Sequence, residues 1–188
     1  GAANTLLPLV GGGWIAENTD VIGIVRTVRE AAITAGSVTI LGAGGTAQAA
    51  VAALPQLGVT TCEVLVRNVA RTSELRASAV AVGVDVAFGL LSADAPALGA
   101  ALIVSTLPRG AADPLVEVAW RRDQTVLDVL YDPWPTRLAA AVDDAGGRVL
   151  SGALLLLHQA EAQVELMTGL PAPRDAMRTA LRTAVPRV

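Results

Sequence analysis

A glycine-rich segment carries the clearest binding chemistry in this sequence. Residues 42–47 read Gly-Ala-Gly-Gly-Thr-Ala and follow the apolar run Val38–Leu41. Gly42 permits a tight turn, Gly44 lets the backbone approach a phosphate, and Ala47 is small enough to keep a helix close to a strand. A helix that begins inside this segment directs free N–H groups and a positive dipole end towards an anion. The residues predicted to bind a dinucleotide here are Gly42, Ala43, Gly44, Gly45, Thr46 and Ala47.

Two arginines follow the next β-type run, Thr61–Val66, at the point where a dinucleotide site selects its cofactor. An enzyme that uses NAD places an Asp or Glu there to hold the ribose diol. Here Arg67, Asn68 and Arg71 follow the run and no carboxylate lies beside them. Guanidinium groups suit the 2′-phosphate of NADP, whereas a methyltransferase would also require an acid at this point. The segment favours NADP and leaves open which arginine binds the 2′-phosphate. The alternative is that both arginines are solvated loop residues.

The elements that position these residues alternate between strand and helix, which predicts an α/β fold. Connections between parallel strands are right-handed, so the expected architecture is a Rossmann-like, doubly wound parallel six-stranded sheet of order 3-2-1-4-5-6. Its ligand crevice would lie over the first and fourth strands. The predicted strands are 38–41, 61–66, 84–88, 101–105, 125–130 and 148–150, and the predicted helices of the unit are 48–57, 71–82 and 135–145. Extra flanking helices are expected at 18–34 and 153–184.

Composition narrows the class of partner. A chain of 188 residues with 53% hydrophobic residues can bury one α/β core, and no apolar run reaches the ~18 residues of a membrane span. The net charge is −3 and the arginines are scattered, which argues against nucleic acid and favours a small molecule. One cysteine, Cys62, and the absence of a signal peptide suit a reducing cytoplasm. His158 has no second ligand nearby in the sequence, so no metal site is expected.

Six ordered motifs resemble the C-terminal two-thirds of the shikimate dehydrogenase family. They include Glu-Asn-Thr-Asp at 17–20 and Thr-Leu-Pro-Arg-Gly at 106–110, and they span essentially the whole chain. The matching segments are 1–6, 17–20, 42–47, 106–110, 128–136 and 152–159, followed by the turn at 168–171. The resemblance implies reduction of 3-dehydroshikimate to shikimate with NADPH, in aromatic amino-acid biosynthesis.

The resemblance also assigns roles to single residues. Asp20 matches the acid of a Lys and Asp pair that handles the proton of the reacting oxygen. Asn4, Tyr131 and Gln159 match substrate-binding positions; taken singly, they could instead be a turn residue, a packing residue and a solvated helix residue. Positions near the nicotinamide correspond to Thr106, Leu107, Val129, Gly152 and Leu155, with Leu155 replacing the usual Met.

The sequence departs from the family in two respects. All 14 basic residues are arginine, so the catalytic Lys is missing, and we expect the chain to be inactive alone. The family more often shows Asn-Arg-Thr where this chain has Arg67 and Asn68, which again leaves the phosphate-binding arginine open.

The chain starts at Gly1, and we expect it to be part of a longer protein. We expect residues 1–17 to be a remnant of an N-terminal substrate domain and residues 18–188 to form the NADP-binding domain. The alternatives are a dehydrogenase of quinate or of an aminated shikimate, or a non-catalytic nucleotide-binding module. Apolar residues within 6–14 and in the C-terminal helices also leave a homo-oligomer open.

Overall fold

The computed structural model describes residues 1–34 and 36–185, and these form a parallel sheet between two layers of helices. The N-terminal elements are β1 (Thr5–Pro8), β2 (Trp14–Glu17) and α1 (Thr19–Glu30). The first half of the large sheet contains β3 (Val38–Leu41), α2 (Gly45–Ala53), β4 (Thr61–Val66), α3 (Ser73–Val82) and β5 (Asp85–Leu90). The second half contains β6 (Leu102–Ser105), β7 (Thr125–Asp128), α4 (Arg137–Asp144) and β8 (Arg148–Ser151), followed by α5 (Gly152–Thr168) and α6 (Arg174–Ala184).

The six strands β3 to β8 pair in parallel in the order β5-β4-β3-β6-β7-β8. Counted from β3, this is the order 3-2-1-4-5-6, so the predicted doubly wound sheet is confirmed. The central strands β3, β6 and β7 are buried along their whole length, as expected when helices cover both faces of a sheet. The glycine turn after β3 and the predicted residues Thr106 and Leu107 after β6 therefore both lie at the carboxyl edge of the sheet.

Successive residues of the central strands point into two separate cores. Ile40 packs with α1, α2, α3 and α5, whereas its neighbour Leu41 packs on the opposite face with α4. The same alternation places Val104 in the first core and Ile103 in the second. This period of two is what a strand with two covered faces requires.

The crossing of α1 and α5 positions the residues at the start of α1. A Cβ on Gly23 would lie 2.9 Å from the Leu155 carbonyl oxygen and 3.2 Å from the Gln159 Cβ. Only glycine allows this separation, because any larger residue would push the two helices apart. The close crossing brings Thr19 and Asp20 beside Gln159.

The N-terminal hairpin was not predicted. β1 and β2 pair antiparallel from Thr5 opposite Glu17 to Pro8 opposite Trp14, and three glycines with positive φ, Gly11 to Gly13, form the connection. Strands of four residues that include a proline carry too little alternation to be recognised as strands.

Two helical segments end earlier than predicted. The segment 48–57 splits into α2 and a 3₁₀ turn at Leu54–Leu57, because Pro55 has no N–H with which to continue an α-helix. The linker helix expected over 18–34 is α1, which ends at Glu30. The C-terminal helices expected within 153–184 are confirmed as α5 and α6, and α5 ends where Gly169 adopts a left-handed conformation. Among the described residues, no helix has both the length and the apolar character needed to cross a bilayer.

Candidate functional site

The turn after β3 depends on glycine at position 42. Gly42 has a φ of 107°, and a Cβ there would lie 2.5 Å from the Thr106 Oγ1. Its N–H donates to the Leu65 carbonyl oxygen at 2.9 Å, which ties the turn to β4. The turn therefore passes too close to the segment after β6 for any side chain to fit.

The start of α2 is open towards the cavity described below. Gly44 is the N-cap, and among the described residues no side chain caps α2. A Cβ on Gly44 would meet no described atom within 4 Å, so the backbone there is approachable. Ala47 is fully buried, as predicted for a residue that keeps helix and strand close. The first N–H groups of α2 are thus available to an anion.

A cavity of about 560 Å³ joins the glycine turn to the arginine segment. Arg67 and Arg71 are exposed at its rim, and neither forms an ion pair with an acid within residues 1–34 and 36–185. The Asn68 Oδ1 accepts from the Ala70 N–H at 2.9 Å and so shapes the turn between the arginines. The lining residues are Gly42, Ala43, Gly44, Val66, Arg67, Asn68, Arg71, Thr106, Leu107 and Pro108. Eight of the predicted cofactor residues therefore lie around one cavity.

The positions assigned to the nicotinamide lie where β6, β7 and β8 end. The Thr106 N–H and hydroxyl both donate to the Leu41 carbonyl oxygen, at 2.9 and 2.7 Å. Gly152 begins α5 directly against the Val129 carbonyl, leaving no room for a Cβ. Leu155 is buried one turn further along α5. The backbone at this edge is thus held by neighbouring strands, which suits a rigid wall beside a flat ring.

A compact hydrogen-bonded cluster forms where β1, α1 and α5 meet. The Asn4 Nδ2 donates to the Asp20 Oδ1 at 2.9 Å and lies 3.2 Å from the Gln159 Oε1. Thr19 donates through its backbone N–H to the Asn4 Oδ1 at 3.0 Å. The Thr19 hydroxyl lies 3.1 Å from both the Asn4 Oδ1 and the Gln159 Oε1. Three predicted substrate-site residues, 155 positions apart at the extremes, are thus in direct contact.

Burial is the largest influence on the Asp20 carboxyl. It raises the pKa of Asp20 above its usual value of 3.8, while the hydrogen bond from Asn4 acts in the opposite direction. The Asn18 side chain caps α1 by accepting from the Asp20 N–H at 3.1 Å, so Asp20 is held by its backbone as well. A positioned carboxyl with a raised pKa suits proton exchange with a substrate hydroxyl.

Tyr131 is the predicted substrate residue that stands apart. It lies beyond the end of β7, is 40% exposed, and makes no hydrogen bond to Asn4, Asp20 or Gln159 in the described residues. His158 is buried on α5 and lies between Glu30 and Glu161. The described residues contain no group of His, Cys, Asp and Glu side chains arranged to hold a metal.

Sequence reasoning missed three residues of the cluster: Thr5, Thr19 and Gln163. Thr19 lies directly before Asp20 in the motif at 17–20, where a role was assigned to Asp20 alone. Gln163 follows Gln159 by four residues, a helical spacing that would have placed the two amides on one face.

A doubly wound parallel sheet with a glycine turn and an arginine-rimmed cavity at its carboxyl edge defines a Rossmann-type dinucleotide-binding protein. The family model described as the shikimate 5′-dehydrogenase C-terminal domain matches residues 153–182. The chain is 32% identical over its whole length to a shikimate dehydrogenase (NADP(+)) of Geobacter metallireducens, and spans 69% of that protein. The chain therefore belongs to the shikimate dehydrogenase family.

Solved structures agree with this assignment. The chain is 44% identical to the shikimate dehydrogenase of Mycobacterium tuberculosis, with a TM-score of 0.81 over 97% of this chain and 68% of that one. It is 29% identical to a quinate dehydrogenase from Corynebacterium glutamicum in complex with NAD, with a TM-score of 0.80 over 97% of this chain and 68% of that one. In each case about two thirds of the other protein is matched.

Proposed function

We propose that this chain is the NADP-binding part, and one wall of the substrate site, of an enzyme that interconverts 3-dehydroshikimate and shikimate. The observation that carries the proposal is the cavity between the glycine turn and the arginines Arg67 and Arg71, which form no ion pair with any described residue. It provides what a dinucleotide with a 2′-phosphate needs: approachable backbone for the pyrophosphate and free cationic donors for the extra phosphate.

The cofactor supplies or accepts a hydride when bound, and this chain's residues orient it. Gly44 and the first turn of α2 would hold the pyrophosphate, while Arg67 or Arg71 would bind the 2′-phosphate. Thr106, Leu107, Val129, Gly152 and Leu155 would form the wall beside the nicotinamide. The absence of a carboxylate at the end of β4 supports NADP over NAD, because the diol of NAD lacks its usual acceptor there.

The Asn4, Asp20 and Gln159 cluster would bind the ring hydroxyls of the acid. Asp20 would exchange the proton of the reacting oxygen, since its carboxyl is held in place and its pKa is raised. The partner Lys is not found in this chain, so we expect cofactor binding without turnover from the chain alone. We also keep Tyr131 as a substrate residue. This role requires Tyr131 to move towards Asn4, Asp20 and Gln159 when a ligand or the rest of the substrate site is present.

Two further expectations accompany the proposal. Leu6 and Trp14 of the hairpin are 60% and 67% exposed, and self-association through such an apolar surface stays a prediction. A reducing cytoplasm stays the expected location, because Cys62 has no partner cysteine in the sequence.

Calorimetric titration with NADP and NAD tests the proposal. We expect NADP to bind more tightly than NAD. Replacing the arginine that binds the phosphate, by Arg67→Ala or Arg71→Ala, should weaken NADP binding by about tenfold or more, since a hydrogen bond to a charged group contributes about 1.5–3 kcal/mol. NAD binding should change little in either variant.

Arg182→Ala is the matched control. Arg182 is an exposed arginine on α6, and it is far in sequence from the residues that line the cavity. It should leave both affinities unchanged. Equal affinity for NAD and NADP, or an equal loss in all three variants, would contradict the assignment of the phosphate site.

A further inference from the structure

The orientation of the Asn4 amide is settled by one backbone group. The Thr19 N–H lies 3.0 Å from an Asn4 side-chain atom, and a backbone N–H can only donate. That atom must therefore be the carbonyl oxygen Oδ1. The amide nitrogen Nδ2 must then face Asp20 and Gln159 as a donor.

The same polarity extends away from the site through Thr5. The Thr5 hydroxyl lies 2.9 Å from the Asn4 Oδ1, and its single proton must point at that oxygen because two acceptors would repel each other. The hydroxyl oxygen is then free only to accept. The Gln163 group 3.0 Å away must accordingly be the donor Nε2. Thr5 is buried, so water does not compete for these bonds.

The polarity also extends towards the ligand side through Gln159. The Gln159 atom that faces the Asn4 Nδ2 must be Oε1, and the Thr19 hydroxyl lies 3.1 Å from the same oxygen. The Gln159 Nε2 consequently points away from the cluster and can donate to an oxygen of a bound acid. Asp20 presents the complementary acceptor.

We propose that Thr5 and Gln163 are positioning residues for the substrate site: the Gln163 Nε2 fixes the Thr5 hydroxyl, which donates to the Asn4 oxygen together with the Thr19 N–H and so holds the Asn4 amide nitrogen at Asp20 and Gln159. The inference rests on the proposed function for its meaning, because these are the residues assigned to the acid. Gln163 lies one turn after Gln159 on α5. The same helix therefore supplies the Gln159 amide, which can donate to a bound acid, and the Gln163 amide, which donates to Thr5.

NMR on this chain tests the inference without any ligand. The sequence has only three asparagines, so the Asn4 side-chain amide signals can be assigned from variants. In Thr5→Val, which keeps the shape and removes the hydroxyl, exchange of the Asn4 Nδ2 protons should accelerate about fivefold, the scale of one lost hydrogen bond. The pKa of Asp20, followed by carboxyl ¹³C shifts, should rise because the Asn4 bond that lowers it is loosened.

Thr5→Ser should restore both values, and Gln163→Leu should shift both in the same direction as Thr5→Val. Thr27→Val is the matched control: Thr27 is also buried, but its hydroxyl donates to the Gly23 carbonyl within α1. It should lower stability and leave the Asn4 and Asp20 signals in place.

Unchanged Asn4 exchange in both Thr5→Val and Gln163→Leu would overturn the inference. The proposed function fails differently, since it is lost if the unmodified chain shows no preference for NADP, whatever these variants do.

Discussion

The two ends of α1 carry acids in opposite electrostatic situations. At the amino end, burial raises the pKa of Asp20, and its partner Asn4 is neutral. At the carboxyl end, Glu30 accepts two hydrogen bonds of 2.9 Å from the Arg178 guanidinium, which lower the pKa of Glu30 below its usual 4.5. The same helix thus holds one acid with a raised pKa and one acid with a lowered pKa.

The surroundings explain the difference. Around Glu30 lies a network of polar and charged side chains. The His158 ring lies 2.9 Å from Glu30 and 3.3 Å from the buried Glu161, and Glu161 also pairs with Arg26. None of the described residues of α6, Arg174–Ala184, is buried, so arginines of this helix help to attach it. Around Asp20 there is no such cation in the described contacts. The comparison teaches that charge is compensated where it supports the fold and left uncompensated where proton exchange is proposed.

Gly23 lies between the two ends, and enlarging it should have the largest effect. In Gly23→Ala the new Cβ would lie 2.9 Å from the Leu155 carbonyl, which costs about 1–3 kcal/mol of strain, partly offset by about 1 kcal/mol of helix propensity. We expect a net loss of up to about 2 kcal/mol in denaturant unfolding, with both ends loosened together.

Gly99→Ala provides the control, since a Cβ there would be 3.8 Å from the nearest side chain. It should be close to neutral. A Gly23→Ala chain as stable as the original would show that the helix crossing does not join the two ends.

Asp20→Asn should change the pH dependence of stability in the direction opposite to a change at Glu30. Because the folded pKa of Asp20 is raised, the folded chain binds the proton more tightly, and the stability from this group falls as pH rises from about 3.8 through the folded pKa. The amide does not titrate, so the stability of the variant relative to the original chain should increase as pH rises through this range.

Urea unfolding at pH 4 and pH 8 measures this difference, with the exposed Asp94→Asn as the control. A stability of Asp20→Asn relative to the original chain that falls with rising pH would contradict the argument.

Glu30→Gln should give the smallest effect, with the opposite sign. A lowered folded pKa contributes stability that is present above about pH 4.5 and is lost as pH falls through the folded pKa. The Glu30 side chain is 41% exposed, so solvent screens the pair and we expect a loss of about 0.5 kcal/mol at pH 7.

Added salt should reduce that loss. The comparison variant is Glu117→Gln, because Glu117 is exposed and forms no ion pair with any described residue. If Glu30→Gln and Glu117→Gln lose equal stability at pH 7, and again equal stability at pH 3, the Arg178 contacts do not favour ionised Glu30.

Much of the fold was accessible from sequence patterns. The glycine turn, the strand before it and the order of the six strands follow from short-range chemistry and from the handedness of crossovers, and the structure confirms them. The hairpin of β1 and β2 was not accessible, because each strand has only four residues and β2 is exposed along its whole length. The Asn4, Asp20 and Gln159 contacts could be assigned only by resemblance.

The sequence by itself determined the residue types at each strand end: glycines where the turn after β3 lies against Thr106, arginines without a neighbouring acid after β4, and no lysine anywhere. Only the tertiary structure decided which polar groups meet. Asn4 and Gln159 are brought together because Gly23 lets α1 approach α5, and the donor direction of each amide follows from the single Thr19 N–H. The physical reason is that conformational preferences act over a few residues, whereas hydrogen-bond polarity is set by whichever groups packing places within 3 Å or so of one another.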